Sequence, residues 1–338
     1  MRKQILYICL FLLLAGMLLS ACTERAETVP DPTAAAETAQ PADTPRPAPP
    51  TAAPTTPPAP EPTDTPEPAH AVSVYGEEFS SDASQLDLSG IPVEDEAAEL
   101  EAKLPEFPAL EKVIMCDCGL TDQQMNALDR KYTDIRFVWT VHFGGYSLRT
   151  DATGFIAAKD PHGELTNKDM PPLQYCTDLV ALDLGHMKFT DISFVSGMKH
   201  LRFLVLADGE LDDITPIAEL PELEYLEIFR TNVRDLTPLL ECRSLKDLNI
   251  CFIPKNASQD AFEVLMQTTW LERLFFVGNK LTREQRNELR AAYPETAEVV
   301  LYDEMESTGL DWRYHPRYYE MRDLLGMYYM LGGTKAGQ

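Results

Sequence analysis

Residues 179–250 read LVALDLGHMKFTDISFVSGMKHLRFLVLADGELDDITPIAELPELEYLEIFRTNVRDLTPLLECRSLKDLNI, and this stretch decides the fold. Leu179, Leu201, Leu223 and Leu245 each open a block, every one 22 residues after the last. Each block begins apolar, two residues, apolar, one residue, apolar: Leu179/Leu182/Leu184, Leu201/Leu204/Leu206, Leu223/Leu226/Ile228 and Leu245/Leu248/Ile250. A short strand returning at a fixed period in the twenties cannot bury its apolar face alone. It must stack on its neighbours, so the architecture expected is a solenoid.

The skeleton is that of a leucine-rich repeat. The fold class expected is α/β: a right-handed leucine-rich repeat solenoid, or horseshoe, with a parallel concave β-sheet and a 3₁₀/α convex side. The regular blocks carry Thr190-Asp191-Ile192-Ser193, Asp213-Ile214-Thr215-Pro216 and Asp235-Leu236-Thr237-Pro238. In this they resemble the internalin-type bacterial repeat, whose convex side is short 3₁₀ helix. At position nine the repeat consensus asks for Asn or Cys. Cys118 and Asn279 supply it, whereas Met187, Gly209 and Thr231 do not. The asparagine ladder is therefore broken, and a less regular turn is expected there. The resemblance covers about residues 84–305.

The N-terminus reads as an address. Arg2 and Lys3 precede an apolar run from Ile5 to Leu19, the pattern of an export signal, and the run is short for a bilayer span. Leu19-Ser20-Ala21-Cys22 resembles the lipobox of bacterial lipoproteins. That resemblance implies cleavage after residue 21, acylation of Cys22 (palmitate among the chains) and retention on the extracytoplasmic face of the bacterial cell membrane. Two or more acyl chains make such an anchor stable. Thr23 follows, so no Asp there signals inner-membrane retention.

Residues 22–70 hold more than half of the chain's 26 prolines and almost no large apolar residue. Such a segment cannot bury enough surface to fold and reads as a disordered Pro/Thr-rich tether. At ~3.1 Å per residue it would reach about 150 Å when extended. The repeat domain is expected over 71–305 and a C-terminal cap over 306–338. Within the domain, Thr121-Asp122-Gln123-Gln124 starts a helix, and Asp260–Gln267 and Thr282–Tyr293 read as further helices. Ile135, Phe137, Trp139, Val141 and Phe143 alternate with less apolar residues as a strand does. With Gly144-Gly145 and Tyr146–Arg149 they form a hairpin near 135–153. Residues 154–172 read as a loop. The Trp- and Tyr-rich C-terminus is expected to cover the last exposed core layer.

A net charge of −25 argues against binding nucleic acid or an anionic membrane surface, so the only membrane contact expected is the lipid anchor. No HExxH, GxSxG or phosphate-binding Gly loop occurs, so neither an enzyme, a metal site nor a cofactor is expected. Cys176 and Cys242 each stand three residues before a repeat-opening leucine, where Met198 and Leu220 fill the same position. They read as buried core residues, too far apart to bond.

The expected site is the concave face. Positions three, five and seven of successive blocks hold Ala181/Asp183/Gly185, Phe203/Val205/Ala207, Tyr225/Glu227/Phe229, Asp247/Asn249/Cys251 and Arg273/Phe275/Val277. Exposed aromatics mark binding surfaces. The ligand-binding set is Phe203, Tyr225, Glu227, Phe229, Asp247, Arg273 and Phe275, with Phe252 at the edge. The expected function is a monomeric, surface-anchored module that binds a protein, peptide or glycan. The other readings are an envelope protein that binds wall polymer, a substrate-capture subunit of a transporter, and an enzyme using carboxylates. The N-terminal hairpin or the C-terminal tail folding over the rings is the competing expectation for the face itself. If the rings stand in solvent, replacing Phe203, Tyr225 and Phe229 together by Ser abolishes ligand capture and leaves the melting temperature unchanged; loss of folding makes them core.

Overall fold

The chain divides into two units, Met1–Thr65 and Pro66–Gln338. The computed structural model describes residues 68–157, 163–302 and 310–327, all in the second unit. The signal peptide, Cys22 and the tether as far as residue 67 lie outside the described residues. Among those described, no helix is long and apolar enough to cross a membrane.

The protein is a right-handed leucine-rich repeat solenoid. An antiparallel hairpin, β1 (Ala71–Val74) and β2 (Glu77–Ser80), leads in. Three parallel strands follow: β3 (Gln85–Asp87), β4 (Lys112–Ile114) and β5 (Arg136–Val138). A second hairpin comes next, β6 (Thr140–Phe143) and β7 (Tyr146–Arg149), closed on Gly144 and Gly145 at φ 50° and 83°. Seven parallel strands then stack in chain order. They are β8 (Gly154–Ile156), β9 (Ala181–Asp183), β10 (Phe203–Val205), β11 (Tyr225–Glu227), β12 (Asp247–Asn249), β13 (Arg273–Phe275) and β14 (Glu298–Val300).

The register explains the period. Leu182, Leu204, Leu226, Leu248 and Leu274 pair rung to rung, and all five are buried. A shift of one residue would turn this row out of the core. The coils turn at position eight, where His186, Asp208, Arg230 and Phe252 take φ of 65°, 58°, 53° and 57°, and Gly278 takes 72°. Left-handed backbone costs a non-glycine residue roughly 1–2 kcal/mol. The ladder offsets this, because the N–H at each of these positions donates to a carbonyl of the next coil, as from Asp208 to Phe229 at 2.8 Å.

Position nine is filled differently from coil to coil, yet the less regular turn expected beside Met187, Gly209 and Thr231 does not appear: the position-eight backbone and its N–H ladder hold the turn in the same form there as beside Asn279. The Asn279 amide donates to the Phe276 carbonyl, the Thr231 hydroxyl donates to Ile228 O at 2.7 Å, and the Cys118 thiol donates to Leu88 O at 3.0 Å. The convex side carries 3₁₀ turns at Pro171–Tyr175, Ser193–Gly197, Thr215–Glu219 and Thr237–Glu241. Asp191, Asp213 and Asp235 start three of them, each carboxylate accepting at 2.8 Å from the N–H two residues on. The longer coils use helices: α1 (Ala98–Lys103), α2 (Asp122–Lys131), α3 (Ser258–Leu265) and α4 (Arg283–Ala292). Thr121 with Gln124, and Thr282 with Gln285, form capping boxes on α2 and α4. Cys176 and Cys242 are free and buried, and burial pushes both thiols up to about 12.

Three further expectations differ from the structure. The alternating run from Ile135 to Phe143 is two strands, broken at Trp139. The Trp139 backbone N–H donates to the Thr150 hydroxyl at 3.2 Å and its indole N–H donates to Asp122 at 2.9 Å, which turns the chain out of the parallel sheet. Residues 154–156 of the expected loop are the edge strand β8, paired in parallel with β9. Of the expected C-terminal cap, the described residues 310–327 do not cover the last layer of the leucine core. They form α5 (Leu310–Arg313) and α6 (Pro316–Leu324), which lie across the concave face.

Leu226 is fully buried at the centre of the leucine row. Leu226→Ala is expected to destabilise the fold by about 2–5 kcal/mol, read from urea denaturation. A change under about 0.5 kcal/mol would mean that the row is not the core.

Candidate functional site

Seven of the expected ligand-binding residues form one continuous patch. Strands β10 to β13 bring Phe203, Tyr225, Asp247 and Arg273 into register along one row, and Glu227, Asn249 and Phe275 along the next. Phe229 extends the patch beyond the end of β11. Phe252 stands at the turn and packs against the edge of the patch, its ring over Gly278 and under the Arg230 guanidinium.

The patch is not open to solvent. Phe203, Tyr225, Glu227, Phe229, Asp247, Arg273 and Phe275 are all buried, and Phe252 is half-buried. Trp312, Tyr318, Met321 and Leu325 cover them and form with them a second apolar cluster, separate from the leucine core. This is the competing expectation realised by the C-terminal tail. The reason is physical: a face carrying so many rings gains more from burial than from hydration, at ~25 cal/mol per Å² of apolar surface.

Polar groups fix the position of the covering segment. Trp312 packs edge-on against Phe275 and tilted against Tyr225, with ring centroids 4.9 Å and 5.2 Å away. Its indole N–H donates to Glu227 Oε1 at 2.7 Å, and the Tyr225 hydroxyl donates to the same oxygen. The Arg273 guanidinium lies 4.4 Å from the Trp312 ring and donates to the Trp312 carbonyl at 3.1 Å. Further along, Arg317 forks onto Asp247, with Nε to Oδ2 at 2.9 Å and Nη2 to Oδ1 at 2.6 Å. Arg273 reaches the same carboxylate at 3.5 Å and Glu298 at 2.7 Å. Arg202 meets Glu320 at 2.7 Å, and the α6 end reaches β8, where a Cβ on Gly154 would lie 2.1 Å from the Leu324 carbonyl.

Burial raises the pKa of Glu227, and the hydrogen bonds from Tyr225 and Trp312 lower it again in part. Burial, then the Glu227 charge, pushes the Tyr225 hydroxyl well above its usual value. Beside α6, a small cleft is lined by Asp183, Glu227, Phe229, Arg313, Tyr318 and Met321. Burial lifts the half-buried Asp183 to about 6, against the Gly185 N–H that donates to it at 2.9 Å. Burial depresses His315, against the Asp247 charge that raises it.

Sequence reasoning placed the sheet side of this site and offered the C-terminal tail only as a competing cover, without naming the residues that make the contact. Two local signals were present: His315-Pro316, a helix start, and the apolar spacing Tyr318, Met321, Leu325, one helix face. The His315 ring accepts from the Arg317 N–H at 3.3 Å as the cap of α6.

No protein-family model matches the chain, and no curated protein matches it. Among solved structures, an internalin of Listeria monocytogenes superposes with TM-score 0.36 at 15% identity, over 60% of this chain and 49% of that one. An internalin C2 of the same species gives 0.33 at 16% identity, over 68% and 87%. A leucine-rich repeat protein of Leptospira interrogans gives 0.33 at 17% identity, over 65% and 55%. The chain spans about half the length of the first of these. The fold assignment rests on the strand register and the repeating turn rather than on these superpositions.

The burial of Asp183 makes the stability of the fold depend on pH. A carboxyl raised from 3.8 to about 6 binds a proton on folding, so its contribution is fully present below pH 3.8 and lost as pH rises through 6. His315 acts in the opposite sense. Asp183→Asn is therefore expected to melt above the parent at pH 7.5, with the difference closing by pH 4. Equal melting temperatures at both pH values would show that Asp183 is fully hydrated.

Proposed function

We propose that this chain is a lipid-anchored binding protein of the bacterial cell surface that takes a protein or peptide ligand on its concave face. One observation carries the reading: the face already holds a polypeptide segment, gripped by ring packing, an indole hydrogen bond and a two-pronged arginine–carboxylate pair. Aromatic and arginine anchors of this kind concentrate binding energy at interfaces. The lipobox ending in Cys22 and the proline tether support display of that face away from the membrane. The carboxylate of Glu227 is committed to two donors, which suits an anchoring role better than proton transfer.

Cys22→Ala is expected to move the protein from the membrane pellet to the soluble fraction and to abolish labelling by palmitate. Unchanged partitioning would remove the lipid anchor from this account. For the face, a photocrosslinker at the exposed rim residue His186 is expected to trap the ligand on cells, and one at Arg283 on the convex helix is not. Crosslinks from Arg283 alone would move the site to the convex side.

A further inference from the structure

The leucine core and the concave cluster share no residue. The core is completed between the sheet and the convex turns, where Leu182, Leu204, Leu226, Leu248 and Leu274 are buried without help from residues 310–327. Helices α5 and α6 close a second, outer layer. A layer the core does not need is a layer that can leave.

The two sides of this layer are joined by specific ion pairs of both polarities. The segment carries Arg313, Arg317 and Arg322 alongside Asp311, Glu320 and Asp323, and Arg202 on the sheet side meets Glu320 at 2.7 Å. Arg317 pairs with both Asp247 and Glu272, the latter at 2.8 Å. The fit is also incomplete. Asn249 stands in register between Glu227 and Phe275, two of the residues Trp312 touches, yet its buried Nδ2 has no hydrogen-bond partner. On the other side, the buried Nε of Arg322 has none either. Unmade hydrogen bonds on both sides weaken an interface, because each buried group has lost water for nothing.

We infer that residues 310–327 are a displaceable plug, and that the face beneath them is a receptor for an aromatic helical segment of another protein, with an arginine five residues after a tryptophan. This rests on the reading of the concave face as the binding face. The tryptophan fills the slot between Tyr225 and Phe275 and donates to Glu227. The arginine forks onto Asp247. A ligand that also offers an acceptor to Asn249 binds better than the plug does. The plug lowers the apparent affinity of any such ligand by the fraction of time the face is open.

The test uses the full chain with a specific protease site placed between Tyr302 and Leu310. After cleavage, a fluorescein-labelled synthetic peptide of residues 308–327 is added in excess, and its exchange onto the protein is followed by anisotropy and gel filtration. The expected result is one peptide bound per chain. The peptides carrying Trp312→Ala or Arg317→Ala compete at least tenfold more weakly, a scrambled peptide does not compete, and Asp247→Asn in the protein weakens binding at least tenfold. In the uncut chain, Trp312→Ala raises the affinity for the added peptide at least tenfold. No exchange while the sheet stays folded, unfolding on cleavage, or equal competition by the scrambled peptide would each overturn the inference. Failed exchange with His186 crosslinks intact overturns the plug alone. Exchange without those crosslinks overturns the proposed binding function and leaves the plug standing.

Discussion

Each coil must deliver its middle leucine to the same rung of the parallel ladder, one strand further along. The rest of the architecture follows from this requirement. It fixes the 22-residue spacing of the central blocks and forces the left-handed residue at position eight. It also presents every other strand residue to the concave side. Longer coils are allowed only where the excess is taken up on the convex side, by α3 and α4. The concave rows are thus a by-product of the core, and their chemistry is free to vary: Ala, Phe, Tyr, Asp and Arg follow one another at one position.

That freedom is used to build a polar anchor inside an apolar patch. Asp247 is fully buried and is satisfied only because Arg273 on the next strand and Arg317 on α6 converge on it. Removing both arginines would leave the buried Asp247 charge unpaired, at a cost of about 3–5 kcal/mol. Glu227 repeats the arrangement with neutral donors. The two carboxylates sit two strand positions from each other along the face, so they fix where the covering segment sits as well as holding it.

The solenoid was legible in the sequence because its cause is local and recurs: Leu182, Leu204, Leu226 and Leu248 each announce the same rung. Position nine was legible for the same reason, including its failure at Met187, Gly209 and Thr231. The concave residues were correctly placed on one face, and their exposure was not. Trp312 and Glu227 are 85 residues apart, and no period links them. What covers a face depends on pairing between distant segments, to which repeat spacing is blind. Strand β8 was missed on another ground. Three residues, Gly154-Phe155-Ile156, carry too little pattern to separate a strand from a loop, and their pairing with β9 decides the matter.

In an ideal solenoid each repeat touches only its neighbours, so the ends fray independently of the middle. Here α6 runs from Asp247 on β12 to Gly154 on β8, and α5 holds Arg273 on β13. The segment acts as a splint across six strands and ties their unfolding into one step. With the splint lifted, the C-terminal coils would lose that shared support first. Occupancy of the concave face then sets the mechanical stiffness of the whole stack as well as access to it.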